Sequence, residues 1–168
     1  MTIYWGDGTS AATAPSGGLF ASVARYQHET NSGSGTFSSG AWRTRTLNTE
    51  AFDPDGIGSL SSNQITLGAG TYYITWRAPG YRCRRHVTRL WNVTDGSQIG
   101  SHGQAGYSST SGDPANSYSH GAVWVTFSGS KAIRLENKST GSRGSNGFGV
   151  SGGTTPHVFA AVDIFKAS

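Results

Sequence analysis

The feature that most constrains this chain is strict two-residue alternation, clearest in TYYITWRAPGYRCRRHVTRLWNVTDG at positions 71–96. Tyr72, Ile74, Trp76 and Ala78 share one face of an extended segment, and Thr71, Tyr73, Thr75 and Arg77 share the other. That is the period of a half-buried β-strand. Pro79-Gly80 predicts a tight turn, and Arg84 to Val93 a return strand that ends at Asp95-Gly96. On this phase Trp91 sides with Val87 and Val93 in the core.

The same pattern predicts further strands at 19–29, 41–48, 64–67, 117–127, 132–137, 147–150 and 157–166, and no segment has a helical period. Gly, Ser and Thr make up about 40% of the chain and only 13% of residues are charged, a composition of short strands and small-residue turns rather than of disorder. At 168 residues one domain suffices. The expected fold is all-β, an antiparallel sandwich or jelly roll over residues 19–168, preceded by an arm and linker over residues 1–18. The arm carries Ile3, Tyr4 and Trp5, three bulky apolar side chains that require a surface to dock on.

Several classes of function are disfavoured. The lone Cys83 allows no internal disulfide, and no Cys/His spacing suits zinc. Asp53-Pro54-Asp55-Gly56 has a spacing that calcium loops use, but is above all a turn former. No nucleophile motif or phosphate-cradling loop is present, and the five histidines, 28, 86, 102, 120 and 157, are scattered. A carboxylate pair such as Glu50 with Asp53 or Asp55 is no more than chance offers among nine acids. The expectation is a non-enzyme with no catalytic residues, metal or cofactor. Net charge of +4 without a basic helix or nucleic-acid motif argues against nucleic acid. The N-terminus has neither the basic start nor the apolar run of a signal peptide, and no apolar stretch is long enough to span a membrane, so synthesis in a cytoplasm without secretion is expected. The sequons at Asn92 and Asn137 are taken as chance matches.

The final strand breaks the alternation. Val158, Ala160, Val162 and Ile164 occupy one face while Phe159, Ala161 and Phe165 occupy the other. One face of a sandwich strand meets the core, so the second needs a loop or another subunit, and a subunit is expected.

Taken together, AWRTRTLNTE (41–50), NQITLGAGTYYITWRAPGYRCRRHVTRLWNVTDG (63–96), the 117–127 segment, GFGV (147–150) and the closing strand resemble a family of phage and prophage virion domains. Those domains are similar to the tumour-necrosis-factor and complement globular-head jelly rolls, and the resemblance spans about residues 20–166. It implies a compact homotrimer whose central contacts include the closing strand, with Val158, Phe159, Ala161 and Phe165 at the interface. The arm falls outside the resemblance; its chemistry suggests virion attachment through Ile3, Tyr4 and Trp5 to capsid or tail proteins.

The function expected on this basis is a surface-displayed virion structural protein, a capsid decoration or head-fibre type that aids host adhesion. The alternative is a tail-associated receptor-binding module for carbohydrate. Five of the ten arginines, Arg77, Arg82, Arg84, Arg85 and Arg89, lie between residues 77 and 89. Arginine forks suit the carboxylates and phosphates of host surface polysaccharide, so Arg82, Arg84, His86 and the loop residue Tyr107 are the candidate ligand contacts. Ion pairing or simple solvation is the competing explanation, since Arg82, Arg84 and His86 fall on one strand face and Arg85 and Arg89 on the other. The 100–116 stretch, which contains Tyr107, lacks a strand pattern and suits a recognition loop.

Overall fold

Alternation is realised as strands in a computed structural model that describes residues 18–153 and 155–168, plus the backbone at 3–4 and 10–11. In chain order the described strands are β1 (Ile3–Tyr4), β2 (Ser10–Ala11), β3 (Phe20–Thr30), β4 (Arg43–Thr44), β5 (Thr49–Phe52), β6 (Gly58–Ser61) and β7 (Gln64–Leu67). They continue as β8 (Gly70–Gly80), β9 (Arg84–Asn92), β10 (Ser97–Ile99), β11 (Gly106–Ser108), β12 (Ser117–Phe127), β13 (Lys131–Ser139) and β14 (His157–Ala167). No helix occurs among the described residues. β1 and β2 pair antiparallel; Trp5 and the side chains of Ile3 and Tyr4 lie outside what is described.

Two antiparallel sheets face each other. One runs β12-β8-β14-β3-β5; the other runs β10-β9-β13-β7-β6, with β11 added on β9 and β4 on β13. Between them Tyr26, Tyr72, Ile74, Trp76, Val162 and Ile164 meet Ile65, Leu67, Leu90, Ile133 and Leu135, all at most 2% exposed. Each such large side chain contributes about 1.5–3 kcal/mol of burial. The result is the jelly roll expected, with two corrections to its wiring.

The first concerns Pro79-Gly80, which closes no hairpin. Both residues still belong to β8, where Tyr118 and Ser117 of β12 pair with them. β14 pairs with β8 only from Tyr72 to Arg77, so Pro79, lacking an N–H, sits where β8 is an edge on that side. The chain then crosses to the other sheet, and the sharp passage places Arg82 and Arg84 in left-handed conformations, with φ of 51° and 62°. The alternation along β9 is that read from the sequence, but the face that meets the core is the opposite one. His86, Thr88, Leu90 and Asn92 are buried and Trp91 faces outward.

The second correction is at the closing strand. Val158 pairs with Glu29 and Ala161 with Gln27, so Phe159 and Ala160 together oppose His28 alone. This β-bulge turns both inward: Phe159 is 5% and Ala160 0% exposed, beside His28 at 5%. Inward-facing residues are therefore Phe159, Ala160, Val162 and Ile164, and Val158, Ala161 and Phe165 lie on the outer face. Part of the apparent two-sided apolarity is this change of phase.

Smaller departures have simple causes. Segment 41–48 pairs only at β4, and 147–150 is a turn, not a strand. A Cβ at Gly147 would stand 2.7 Å from the Phe37 backbone nitrogen, and Gly149 has φ of +131°, so the GFGV segment packs as a tight loop around Phe37 and Phe148. The Leu-Asn-Thr-Glu run has a clear task. Leu47 is buried, and the Asn48 side chain accepts from Glu29 N–H and donates to Glu29 C=O, both at 2.8 Å, which locks the start of β5 to β3.

Candidate functional site

Polar residues on the core side of β9 are structural. The Trp76 indole N–H donates to Thr88 Oγ1 at 2.8 Å, Thr88 Oγ1 and Ser119 Oγ lie 2.7 Å apart, and Ser119 Oγ accepts from Thr88 N–H at 3.0 Å. One buried cluster thus ties β8, β9 and β12 together across both sheets. His86 belongs with it rather than with a surface site. It is 2% exposed and its Nε2 lies 3.2 Å from Ser117 Oγ. Burial first, and Arg45 second, push its imidazole down to about 4, so it is neutral at pH 7. The sequons are also internal, Asn92 at 5% and Asn137 at 0% exposure.

Arg45, which the sequence does not single out, is fully buried. It donates to Phe148 C=O at 3.0 Å and Pro79 C=O at 3.4 Å and lies 4.2 Å over the Phe148 ring, while burial lowers its guanidinium to about 9. Cys83 is a packed thiol, as expected, and burial raises it to about 11. Asp53 begins a turn. Gly56 N–H donates to its C=O, and its carboxylate accepts from Tyr26 O–H at 2.7 Å and from the Ile57 and Gly58 N–H groups at 2.9 Å. Burial alone would raise its pKa, but these donors hold it below the ordinary value. That carboxylate is fully engaged in its turn.

Two outward faces remain. On the five-stranded sheet Phe20, Tyr73, Trp124 and Phe165 form one aromatic group, with ring centroids of 5.1 Å for Phe20–Phe165, 5.3 Å for Tyr73–Trp124 and 5.7 Å for Phe20–Trp124. Trp124 is nevertheless 51% exposed, as are Leu19 at 69% and Val158 at 47%. Beside the aromatic group Asp163 joins Arg25 and Arg77. Of the residues expected at a subunit contact, Val158, Ala161 and Phe165 lie on this face, Ala161 fully buried between its partners Gln27 and Arg77. Phe159 does not; it points into the sandwich.

On the seven-stranded sheet Arg89 lies 4.2 Å from each of the Trp42 and Trp91 rings and donates to Glu136 at 2.7 Å. Arg134 holds the other Glu136 oxygen at 2.6 Å. Alongside this stack stand Tyr107, paired with Arg85, and Lys138, paired with Val87. Stretch 100–116 is partly a strand, because β11 adds to β9 there. Arg82 donates to Gly112 C=O at 3.0 Å and rests 5.5 Å from the Tyr81 ring; Arg84 is exposed, opposite Ser108. The expected ligand group is thus rearranged: His86 is withdrawn, and Tyr107 is brought beside Arg85. Lys138 carries one sequence signal, its alternation with Arg134 and Glu136 along β13.

No protein-family model matches the chain, and no curated protein sequence matches it significantly. Solved structures match its fold. The globular domain of the zebrafish complement 1qA protein is 14% identical, with 86% of this chain and 95% of that chain covered and a TM-score of 0.53. Murine APRIL at pH 8.0 is 8% identical, covering 86% and 98% with a TM-score of 0.55. Eiger TNF from S. frugiperda is 12% identical, covering 87% and 92% with a TM-score of 0.54. The chain has the tumour-necrosis-factor and complement-head type of jelly roll.

Proposed function

We propose that this chain is a non-enzymatic, self-associating module, a homotrimer displayed on the outside of a bacteriophage particle as a capsid decoration or head-fibre type protein that aids adhesion to the host. The observation that carries self-association is the aromatic group Phe20, Tyr73, Trp124 and Phe165 on the outer face of the five-stranded sheet, with Trp124 51% exposed. Large rings gathered from four strands on one sheet face, three partly buried and Trp124 half in water, are the composition of a contact core. The virion setting rests on the sequence resemblance, and attachment through Ile3, Tyr4 and Trp5 rests on the chemistry of the arm. A rigid trimer repeated over a particle would gain adhesion through many weak contacts at once.

Light scattering on the purified chain tests self-association. Three times the 17.6 kDa chain mass is expected, and a monomer would overturn the reading. Deleting residues 2–14 tests the setting. The trimer should persist while incorporation into particles is lost; particles that retain the shortened chain would sink the role of the arm. The tail-associated carbohydrate-binding alternative is favoured by a separate observation, the group of cations and Tyr107 on the seven-stranded sheet.

A further inference from the structure

We propose that a cleft on the outer face of β9 binds one acidic sugar unit of an anionic polysaccharide, a pyranose ring bearing a carboxylate. This deepens the adhesion part of the function above, and its test is read in solution, independently of subunit mass or particle incorporation.

The register builds the cleft. Tyr107 of β11 lies opposite Arg85 of β9, and Thr140, just past β13, donates its N–H to Arg85 C=O at 2.9 Å. One row along the same face, Lys138 lies opposite Val87. Alternation puts Arg85 and Val87 on one side of β9. Between Arg85 and Lys138, over Val87 and Ala105, is a hollow of about 200 Å³ walled by Thr140. Thr140 Oγ1 accepts from Arg85 N–H at 3.2 Å, so this wall is tied to the strand beneath it.

The chemistry of the hollow is unusual for so basic a surface: an apolar floor lies between two cations. Arg85 and Lys138 are exposed, and neither joins the carboxylate pairs formed among the described residues. The neighbouring acid on β13, Glu136, is only 2% exposed and already held by Arg89 and Arg134, so it neither neutralises the two cations nor repels an anion. Tyr107, 63% exposed and paired with Arg85, presents a ring on the same strand face. An apolar floor with Tyr107 standing beside Arg85 suits the C–H face of a sugar ring, and an arginine fork with a lysine suits its carboxylate. The hollow admits a single ring, whereas a nucleic acid strand needs a long basic track with successive stacking platforms.

The test is calorimetric titration of the full chain with oligogalacturonate, with neutral isomalto-oligosaccharide and with sulfated dextran oligomers of similar length. Oligogalacturonate should bind and the neutral sugar should not. Arg85→Ala and Lys138→Ala should each weaken binding about tenfold, while Arg143→Ala, an exposed cation outside the cleft, should change it less than twofold. Val87→Trp, checked for folding by circular dichroism, should fill the floor and abolish binding with both cations still present. Lack of binding to oligogalacturonate would overturn the proposal. So would equal losses at Arg143 and Arg85, or sulfated dextran bound as tightly and insensitively to Val87→Trp, since either means general attraction of polyanions. A fall in the mass of the assembly for Arg85→Ala would instead make this face a contact between copies and remove the site.

Discussion

At the residue scale the core depends on a few contacts that leave no slack. A Cβ at Gly121 would stand 2.0 Å from the Trp76 ring, which itself reaches across to Thr88. Gly121→Ala must displace that ring, and a loss of about 1–3 kcal/mol is expected in urea denaturation. Two histidines set an acid limit. Burial, and then Arg45, lowers both His28 and His86 to about 4. Between that value and the unfolded histidine value near 6.5 the unfolded chain binds more protons than the folded one, so stability rises with pH and is lost on acidification. Urea midpoints should therefore fall from pH 7 to pH 4.5, and His86→Asn should flatten that decline by about one proton's slope. Asp53 acts in a lower window. Its folded pKa is depressed, so the stability it lends is present above the unfolded value and lost as pH falls through the folded one.

At the element scale β9 shows how much of the fold could be read beforehand. Tyr72, Ile74, Trp76 and Ala78 of β8 are buried as alternation predicts, because an extended strand without irregularity keeps its phase. β9 keeps its alternation but buries the face of His86, Thr88, Leu90 and Asn92, whose polar groups are partnered within the fold and which apolarity alone ranks below Val87, Trp91 and Val93. Trp91 is consequently outside, stacked on Arg89. Removing that guanidinium should expose what the stack contributes: Arg89→Ala strips both rings of their cation and leaves Glu136 to Arg134 alone, with an expected loss of about 2 kcal/mol in thermal or chemical unfolding. Arg89→Lys, which keeps the charge but not the planar fork, should fall between. Lys138 and Val87 are neighbours only through the β9–β13 register, separated by about fifty positions of chain that no local motif spans.

At the scale of the whole molecule the two sheets divide their tasks. The five-stranded sheet presents the aromatic group, and the seven-stranded sheet the hollow between Arg85 and Lys138. Trp124→Glu, which sets a carboxylate among Phe20, Tyr73 and Phe165, should give a folded chain of single mass at micromolar concentration; an unchanged mass would move the contact elsewhere. The jelly roll itself was legible from strand number, length and punctuation, properties that do not depend on which strand neighbours which. Phe159 was misplaced because a bulge adds a residue without leaving a mark in composition.

That bulge separates two properties that usually travel together. Phe159 and Ala160 are almost wholly shielded from water, yet they fall outside the one-to-one pairing with β3 and beyond the end of the β8 ladder at Ala161. Their amide protons should exchange with deuterated solvent well before those of Val162 and Ile164, a few residues along the same strand. Dryness at this point of the closing strand follows from side-chain packing rather than from regular pairing, and the backbone beneath it is expected to open first.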